Sequence, residues 1–278
     1  MKNKIVVVTG ATAGIGQVTA RELARAGADV ILVSRSAEKC EQTAQQIRSE
    51  TGAASVRFVV ADLSSQVQVR RAAQEITALS PRIDVLVNNA GAIFDQRAIS
   101  TDGIEMTWAL NHLSYFLFTQ ELLPLLKAAP AARVVNVSSG AHFMARGGIR
   151  FDDVQFANAY SGWAAYGQSK LANILFSNEL VRRTGLASNA LHPGAVNTSF
   201  GRNNSTPLSK LLYKLWPLFT ISPEKGARTS IYLASSPLVE GVAGRYFADC
   251  KPAPTSPAAK DAAAAARLWT LSETMTQG

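Results

Sequence analysis

A tyrosine and a lysine stand four positions apart, at Tyr166 and Lys170, in a segment with helical spacing. Residues at that separation share one face of a helix, so the lysine ammonium can lie beside the tyrosine phenol. An ammonium there would favour phenolate and lower a pKa that is normally about 10. A tyrosine tuned in this way can exchange a proton with an alcohol or carbonyl oxygen while a nicotinamide exchanges the hydride. Unrelated chains contain such a pair by chance, so the pair alone is a weak indication.

A second chemical signal lies near the start of the chain, in the segment Thr9-Gly10-Ala11-Thr12-Ala13-Gly14-Ile15-Gly16. An apolar run at 5–8 precedes it and predicts a buried strand, and apolar residues at helical spacing follow it. A strand, a glycine-rich turn and a helix in this order form a cradle for phosphate groups. The glycines admit close approach of a ligand, and the N–H groups at the helix start attract anions. A plain packing turn is the alternative for three glycines considered alone.

The end of the second predicted strand bears on which dinucleotide such a cradle would bind. An acidic residue there bonds the ribose 2′-hydroxyl of NAD, whereas a basic residue accommodates the 2′-phosphate of NADP. The chain has no carboxylate at this point and reads Ser34-Arg35-Ser36. Arg35 therefore favours NADP(H), and NAD(H) is the alternative cofactor. Arg35 could instead be a solvated surface arginine with no role in binding.

Small or polar residues also follow the third and fourth predicted strands, at Asp62-Leu63 and at Asn88-Asn89-Ala90-Gly91. Ligands of open α/β sheets bind outside the carboxyl ends of the strands. Four strand ends of this kind predict one cofactor cleft. Each could instead be an ordinary turn, because Asn, Asp and Gly suit turns.

Strand and helix patterns alternate along most of the chain. This alternation predicts a single α/β domain over residues 1–278, a Rossmann-type doubly wound parallel sheet of about seven strands with helices on both faces. Ser36, Ser64 and Ser222 are predicted N-caps of helices, and Ser256 precedes a similar signature before an alanine-rich helix. Pro124 is expected to bend or break a long helix over 101–128.

The segment 200–222 departs from this alternation and is the predicted substrate lid. Its apolar part, 208–219, contains Leu, Tyr, Trp and Phe, which favours a bulky apolar substrate. Core packing is an equally good interpretation of that part, and peripheral membrane contact ranks lowest. Residues 250–278 are predicted to form a C-terminal extension.

Composition excludes several other classes of protein. The net charge is +8, yet the basic residues are dispersed, which does not indicate a nucleic-acid partner. Two isolated cysteines fit a reducing, cytoplasmic setting, and no apolar run is long enough to span a bilayer. The histidines are isolated, so no metal site is predicted and they are interpreted as structural or pocket-lining: His112, His142 and His192.

Taken together, the motifs resemble the short-chain dehydrogenase/reductase family over residues 4 to about 248. The matching segments occur in family order: 9–16, 88–91, Asn111, Val137-Ser138-Ser139, Tyr166-Gly167-Gln168-Ser169-Lys170 and Pro193-Gly194. The run from Tyr166 to Phe176, followed by His192-Pro193-Gly194, is similar more specifically to the retinol dehydrogenase and WW-domain-oxidoreductase branch. The chain would be a soluble relative without an N-terminal anchor. Family members are frequently dimers or tetramers, and the sequence leaves the oligomeric state open.

The resemblance implies roles for individual residues. Tyr166 matches the catalytic acid/base, and Lys170 matches the residue that binds the nicotinamide ribose and lowers the tyrosine pKa. Ser139 matches the serine that bonds the substrate oxygen, with Ser138 as the runner-up. Asn111 matches the residue that holds a water in a proton relay to Lys170. The segment that holds the nicotinamide carboxamide and the diphosphate matches Pro193, Gly194, Val196 and Thr198.

Two departures from the family pattern matter. Ser139 and Tyr166 are 27 positions apart because of an insertion around 151–163, as in the retinol dehydrogenase-like branch. Ala13 stands where many NADP-dependent members have a basic residue, which leaves Arg35 to argue for NADP alone.

The expected function is an NADP(H)-dependent interconversion of an alcohol and an aldehyde or ketone on a retinoid-, steroid- or long-chain-like substrate. One alternative is reduction of an activated C=C bond on the same scaffold. A catalytically silent NADP-binding regulatory module is another, although it would have no need of the Tyr, Lys, Ser and Asn set.

Overall fold

Valine-rich runs form the strands of one sheet, because β-branched side chains suit strands that are covered on both faces. The computed structural model describes residues 1–195 and 221–277. Within them the strands are β1 (Ile5–Thr9), β2 (Asp29–Ser34), β3 (Val56–Val60), β4 (Val85–Asn88), β5 (Arg133–Val137), β6 (Ala187–His192), β7 (Tyr246–Ala248) and β8 (Lys251–Pro252).

The strands lie in the order β3-β2-β1-β4-β5-β6-β7-β8. The first seven run parallel and give the doubly wound order predicted from the sequence. A two-residue strand that the sequence did not indicate, β8, pairs antiparallel with β7.

Helices cover both faces of this sheet. They are α1 (Gly14–Arg25), α2 (Ala37–Thr51), α3 (Gln66–Leu79), α4 (Met106–Trp108), α5 (Ser114–Glu121), α6 (Leu123–Lys127), α7 (Gly162–Thr184), α8 (Pro223–Ser235) and α9 (Ala262–Thr276). A π-helical turn, Ala109–Leu113, joins α4 to α5, and 3₁₀ turns cover Gly140–Met144, Pro237–Val239 and Pro257–Lys260.

Alternate residues of each strand enter different cores, as the two-residue period of a strand requires. Val7, Ile31 and Leu86 lie at one level of β2-β1-β4 and pack toward α3, α5, α6 and α7. Val6 and Val8 point to the opposite face and pack toward α1, α2 and α8. The helix α9 lies against α7 and α5, where the Trp269 ring packs against aromatic rings of both helices.

Polar side chains cross the middle of the sheet inside the otherwise apolar layer under α5 and α7. The Asn88 amide donates to Thr119 Oγ1 at 3.0 Å and to Asn136 Oδ1 at 2.9 Å. Asn136 donates in turn to Ser188 Oγ at 3.0 Å, and Ser188 Oγ lies 2.8 Å from Ser177 Oγ. These side chains are completely buried and linked by hydrogen bonds, which is the condition for keeping amides in a core.

The start of α3 differs from the prediction. Ser65, and not Ser64, precedes the helix, because both the amide and the hydroxyl of Ser64 bond the Asp62 carboxylate. Because Ser64 is bonded within that turn, it does not cap α3. Val67, in the first turn of this helix, is 74% exposed.

The start of the last helix is also different. Ser256 precedes only a 3₁₀ turn, and α9 begins after Asp261, whose carboxylate accepts from the Ala264 N–H at 2.9 Å. A carboxylate at a helix N-terminus is favoured because it meets the positive end of the helix dipole. The predicted break near Pro124 is confirmed, since α5 and α6 are separated at Leu122. Among the described residues no helix has the length and apolarity to cross a membrane.

Candidate active site

The glycine-rich turn between β1 and α1 depends on backbone conformations that only glycine adopts without a large steric cost. Gly10 and Gly14 have φ of +64° and +54°, in the left-handed region where a Cβ is unfavourable. A Cβ on Gly16 would run directly into the Gly10 carbonyl oxygen. Gly14, Ile15 and Gly16 form the first turn of α1, as the sequence predicted.

The N-terminus of α1 is prepared for an anion rather than for a side-chain cap. The helices α2, α7 and α8 each begin at a serine whose hydroxyl accepts a backbone N–H of the first turn: Ser36, Ser161 and Ser222. The helix α1 begins instead at Ala13, and no side-chain cap is bonded to its first turn. Its N–H groups need an acceptor, and the phosphates of a dinucleotide fit this requirement.

Thr9 ties the glycine turn to the end of β4. Its hydroxyl oxygen accepts from the backbone N–H of Asn89 at 2.8 Å and of Ala90 at 3.0 Å. The Asn89 amide donates back to the Thr9 carbonyl oxygen at 2.8 Å. Asn89 and Ala90 were predicted as site residues, whereas Thr9 was missed, although a threonine directly before the first glycine was visible in the motif.

Two hydroxyls meet where the end of β2 approaches the glycine turn. Thr12 Oγ1 lies 2.9 Å from Ser34 Oγ, so these two predicted cofactor-binding residues are in contact. Arg35 follows on an exposed turn, and no hydrogen bond or ion pair of its guanidinium is found in residues 1–195 and 221–277. An exposed guanidinium that directly follows Ser34 in the chain fits a 2′-phosphate.

The predicted pair after β3 serves mainly local structure. The Asp62 carboxylate accepts from the Ser64 amide and hydroxyl, and Leu63 is 6% exposed within the core. These contacts match the alternative interpretation of this segment as an ordinary turn. A role in contacting the adenine remains a prediction for both residues.

The catalytic candidates come from β5 and α7. The Tyr166 side chain, 7% exposed, is hydrogen-bonded to the side chain of Ser139, the second residue after β5. Gly167 makes the approach of the two elements close, because a Cβ there would lie 2.8 Å from the Ala141 carbonyl oxygen. The structure therefore brings together the predicted acid/base and the predicted oxygen-binding serine.

The neighbouring serine has a different task. The Ser138 hydroxyl is buried and donates to the Lys170 carbonyl oxygen at 2.7 Å, which fastens β5 to α7. Ser139 is only partly buried, and its Oγ accepts from the Ala141 N–H at 3.1 Å. Of the two serines, Ser139 is thus the one bonded to Tyr166, in agreement with the preference stated from the sequence.

The Lys170 amine lies between the end of β5 and the segment that follows β4. Nζ donates to the Val137 carbonyl oxygen at 3.0 Å and lies 5.5 Å from the centre of the Tyr166 ring. A Cβ on Gly91 would be 3.4 Å from this Nζ and 3.1 Å from Asn111 Oδ1. The absence of a side chain at Gly91 therefore leaves room where an amine and an amide converge beside the glycine turn, which fits a ribose.

The acid–base properties of the pair differ from the prediction. Burial raises the pKa of Tyr166 to about 12, against a smaller lowering by the hydrogen bond to Ser139. Burial also lowers the pKa of Lys170 to about 7. The helical spacing predicts a lowered tyrosine pKa, but in the folded protein both groups lose hydration, which favours their neutral forms.

Asn111 occupies the π-helical turn, a helix irregularity that often marks functional sites. Its amide forms two bonds of 2.9 Å with the backbone of Ala92, one as donor and one as acceptor, and donates to Ser169 Oγ at 3.0 Å. Asn111 is fully buried and does not face solvent. Its role in a water-mediated relay to Lys170 remains a prediction.

The segment after β6 is described only in part. Pro193 and Gly194 follow His192, and Gly194 has φ of +89° and a Cβ position 2.6 Å from Ile221 Cδ1. Val196 and Thr198 lie outside the described residues, as do residues 200–220 of the predicted lid.

The histidines serve as internal hydrogen-bonding groups. His112 Nε2 lies 2.8 Å from Ser272 Oγ, and burial lowers the pKa of His112 to about 3. His142 and His192 both contact the backbone next to Ser139. In the described part of the chain no group of three His, Cys, Asp or Glu side chains is arranged for a metal ion.

Residues 4–151, more than half of the chain, match the family described as short chain dehydrogenase. The chain therefore belongs to this family and is an NAD(P)-dependent oxidoreductase. Retinol dehydrogenase 14 of Homo sapiens is 44% identical over 99% of this chain and 87% of its own length. Retinol dehydrogenase 13 of Homo sapiens is 43% identical over 96% of this chain and 82% of its own length. These similarities confirm the retinol dehydrogenase branch.

Solved structures confirm the fold. A crystal structure of an uncharacterised protein from Mycobacterium paratuberculosis has a TM-score of 0.79, is 37% identical and covers 99% of this chain and 94% of its own. The RhlG/NADP active-site complex of Pseudomonas aeruginosa has a TM-score of 0.69, is 31% identical and covers 89% of this chain and 94% of its own.

Proposed function

We propose that the protein is an NADP(H)-dependent oxidoreductase that interconverts an alcohol and an aldehyde or ketone on a bulky apolar substrate. The observation that carries the proposal is the contact between the Tyr166 hydroxyl and Ser139, with the Lys170 amine beside the same ring. Carbonyl reduction requires a proton donor, a hydrogen-bonding group at the oxygen and a way to stabilise the charge left behind. The three side chains correspond to these three tasks.

Residues at the strand ends would hold the cofactor. The first-turn N–H groups of α1 would bind the diphosphate, and Lys170 and the backbone at Gly91 would contact the ribose. The Arg35 guanidinium suits a 2′-phosphate, and the structurally similar RhlG forms an active-site complex with NADP, which supports the proposal.

Bound NADPH supplies the hydride that reduces the carbonyl carbon. Ser139 donates a hydrogen bond to the carbonyl oxygen, and Tyr166 gives that oxygen its proton. A pKa of about 12 keeps the Tyr166 phenol protonated at neutral pH, which is the form needed for reduction. With a pKa of about 7, Lys170 is about half protonated at pH 7, and its ammonium form stabilises the phenolate across 5.5 Å from the ring centre in a buried, weakly screened setting.

The described rim of the site supports an apolar substrate. Phe143, Met144 and Trp163 are 47%, 55% and 44% exposed, although large apolar side chains are usually buried. Trp163 meets the Tyr166 ring edge-to-face at 6.1 Å, and Met144 lies beside Gly167. An apolar chain or ring attached to the reacting carbonyl would cover these side chains and exclude water from the proton transfer.

NADPH oxidation with retinal, decanal and a steroid ketone tests the reaction, together with the variant Tyr166→Phe. We expect the variant to keep its affinity for NADPH and to lose about 10²–10⁴-fold in kcat, which is the usual contribution of a general acid. Turnover that is unchanged in the variant would contradict the proton donor. Alkene reduction without carbonyl reduction would favour the C=C alternative, and binding without turnover of any substrate would favour the silent module.

The variant Arg35→Ala tests the cofactor preference. Loss of a charge-assisted bond to a phosphate should weaken NADPH about 10–100-fold, since such bonds contribute about 1.5–3 kcal/mol. The affinity for NADH should change by less than about twofold, because its ribose carries no 2′-phosphate for the guanidinium to bind. Equal losses for the two cofactors, measured by fluorescence titration, would contradict the assignment of Arg35.

We also propose a cytoplasmic location, which rests on the two cysteines of the chain, since Cys40 and Cys250 are both free thiols. Cell fractionation tests the location, and light scattering after size-exclusion chromatography determines whether the protein is a homo-oligomer.

A further inference from the structure

One peptide group next to the catalytic serine is held on both sides by imidazole rings. The carbonyl oxygen of Ser139 lies 2.8 Å from His142 Nδ1. On the other side of the same peptide, the N–H of Gly140 donates to His192 Nδ1 at 3.1 Å. Both polar atoms of the Ser139–Gly140 peptide are therefore fixed by histidines that lie 50 positions apart in the sequence.

The bonding partners determine which nitrogen of each ring carries the proton. A carbonyl oxygen only accepts, so His142 Nδ1 is the protonated nitrogen, and His142 Nε2 accepts from the Ser256 N–H at 3.2 Å. His192 Nδ1 accepts, so the proton of His192 is on Nε2. The two rings are consequently in opposite neutral tautomers.

The surroundings favour these neutral forms. Burial lowers the pKa of both histidines, each remaining uncharged near neutral pH. His142 is fully buried and packs against the Tyr246 and Phe143 rings at 5.1 Å and 4.1 Å between centres. The exposed Asp249 carboxylate acts in the opposite direction on the pKa of His192.

The two histidines clamp the Ser139–Gly140 peptide, and this clamp affects the position of the Ser139 hydroxyl. The Ser139 side chain accepts from the Ala141 N–H at 3.1 Å and bonds Tyr166, so its direction depends on the backbone at Ser139 and Gly140. We infer that His142 and His192 are positioning residues that hold the Ser139 hydroxyl against Tyr166. The inference rests on the proposed function of Ser139 and Tyr166.

Replacing each histidine by Asn or by Gln distinguishes a role in hydrogen bonding from a role in packing. The terminal atoms of Asn occupy the place of Nδ1, whereas those of Gln reach the place of Nε2. His142→Asn keeps a donor for the Ser139 carbonyl and loses the Ser256 contact, and His142→Gln does the reverse. His192→Asn keeps an acceptor for the Gly140 N–H, and His192→Gln removes it.

We expect both Gln variants to lose about tenfold or more in kcat, because small misplacement of a catalytic group costs about 10²-fold. KM for NADPH should stay within about twofold in all four, and both Asn variants should keep kcat within about threefold. A packing role predicts the opposite order, since Gln is closer to His in size than Asn is. Gln variants as active as the Asn variants, beside an inactive Tyr166→Phe, would overturn the clamp while the proposed function stands.

If Tyr166→Phe keeps full turnover, the proposed function fails and the clamp is judged by its tautomers alone. Long-range ¹H–¹⁵N spectra of the wild-type protein at pH 7.5 read these directly and need no variant to fold. We expect a protonated Nδ1 in His142 and an unprotonated Nδ1 in His192. An unprotonated Nδ1 in His142, or a protonated one in His192, would overturn the inference.

Discussion

The two halves of the candidate site are built from different materials. The cofactor half packs β1, β4 and α1 so closely that a Cβ on Gly16 would meet the Gly10 carbonyl oxygen and a Cβ on Gly10 would meet Ala90. The catalytic half joins β5, the π-helical turn and α7 through side chains, such as the Asn111 amide on Ser169 at 3.0 Å. Enlarging a residue should therefore damage the first half most, whereas removing a polar group should damage the second.

The electrostatic arrangement differs in the same way. The cofactor half offers uncapped N–H groups and an exposed Arg35, which remain near water until an anion binds. The catalytic half keeps Tyr166 and Lys170 buried, at the expense of their hydration, and shifts the pKa of both toward their neutral forms.

The largest expected effect comes from adding one methyl group to the cofactor half. Gly16→Ala places a Cβ against the Gly10 carbonyl, and backbone yields less readily than a side chain does. We expect a loss of about 3 kcal/mol in the free energy of unfolding, at the upper end for overpacking, and loss of NADPH binding. Urea denaturation and fluorescence titration measure the two.

Gly185→Ala is the matched control. Gly185 has φ of +71° at the end of α7, and a Cβ there meets nothing within 4 Å. Only the left-handed backbone should cost energy, about 1–2 kcal/mol, with NADPH affinity retained. Equal losses in the two variants would show that contact with Gly10 is unimportant.

The next effect concerns the catalytic half and depends on pH. The folded-state pKa of Lys170 is about 7 against 10.5 for the ordinary side chain, so the unfolded protein binds more protons between these values. The free energy of unfolding should thus rise with pH over pH 7.5–9.5, by at most about 1.4 kcal/mol per unit. Lys170→Met should remove this slope in urea denaturation, whereas Lys39→Met on the exposed face of α2 should keep it. A slope that survives in Lys170→Met would place its origin elsewhere.

The smallest effect on stability tests the missing cap of α1. Ala13→Asp supplies a carboxylate to the first turn and should raise the free energy of unfolding by about 0.5–1 kcal/mol. The same charge repels phosphate, so NADPH affinity should fall about tenfold, equivalent to about 1.4 kcal/mol. Asp261→Ala, which removes the cap of α9, should lower stability by about 1 kcal/mol and leave NADPH affinity unchanged. Tighter NADPH binding by Ala13→Asp would contradict the assignment of this helix end to the diphosphate.

Most of the fold and the cofactor turn were predictable because their signals are local. The glycine spacing, the valine-rich strands and the serine caps at Ser36 and Ser222 act within a few residues, and all are confirmed. The prediction of Ser64 as the N-cap of α3 was wrong because Ser64 bonds the Asp62 carboxylate instead. That turn depends on the conformation of the backbone, which the local sequence does not reveal.

The residues of the catalytic half were predictable from the sequence, but their hydrogen-bond partners and the direction of the Tyr166 pKa shift were not. Ser138 and Ser139 are the same residue type, and only the fold shows that the first hydroxyl bonds Lys170 while the second bonds Tyr166. The direction of the Tyr166 pKa shift depends on burial, which spacing along a helix does not report. The clamp by His142 and His192 joins residues too far apart in sequence to form a motif.

The buried amides under α5 and α7 also have a consequence for how the chain finds its native alignment. Valine-rich parallel strands have nearly interchangeable residues, and a slip of two positions would keep every side chain on its own face. Asn88 lies opposite Asn136, so a slip that set Asn88 opposite Val134 would break the hydrogen bond between the two amides. Each unsatisfied group costs about 1–3 kcal/mol, so these few polar atoms select one alignment of β4 and β5 among competing ones.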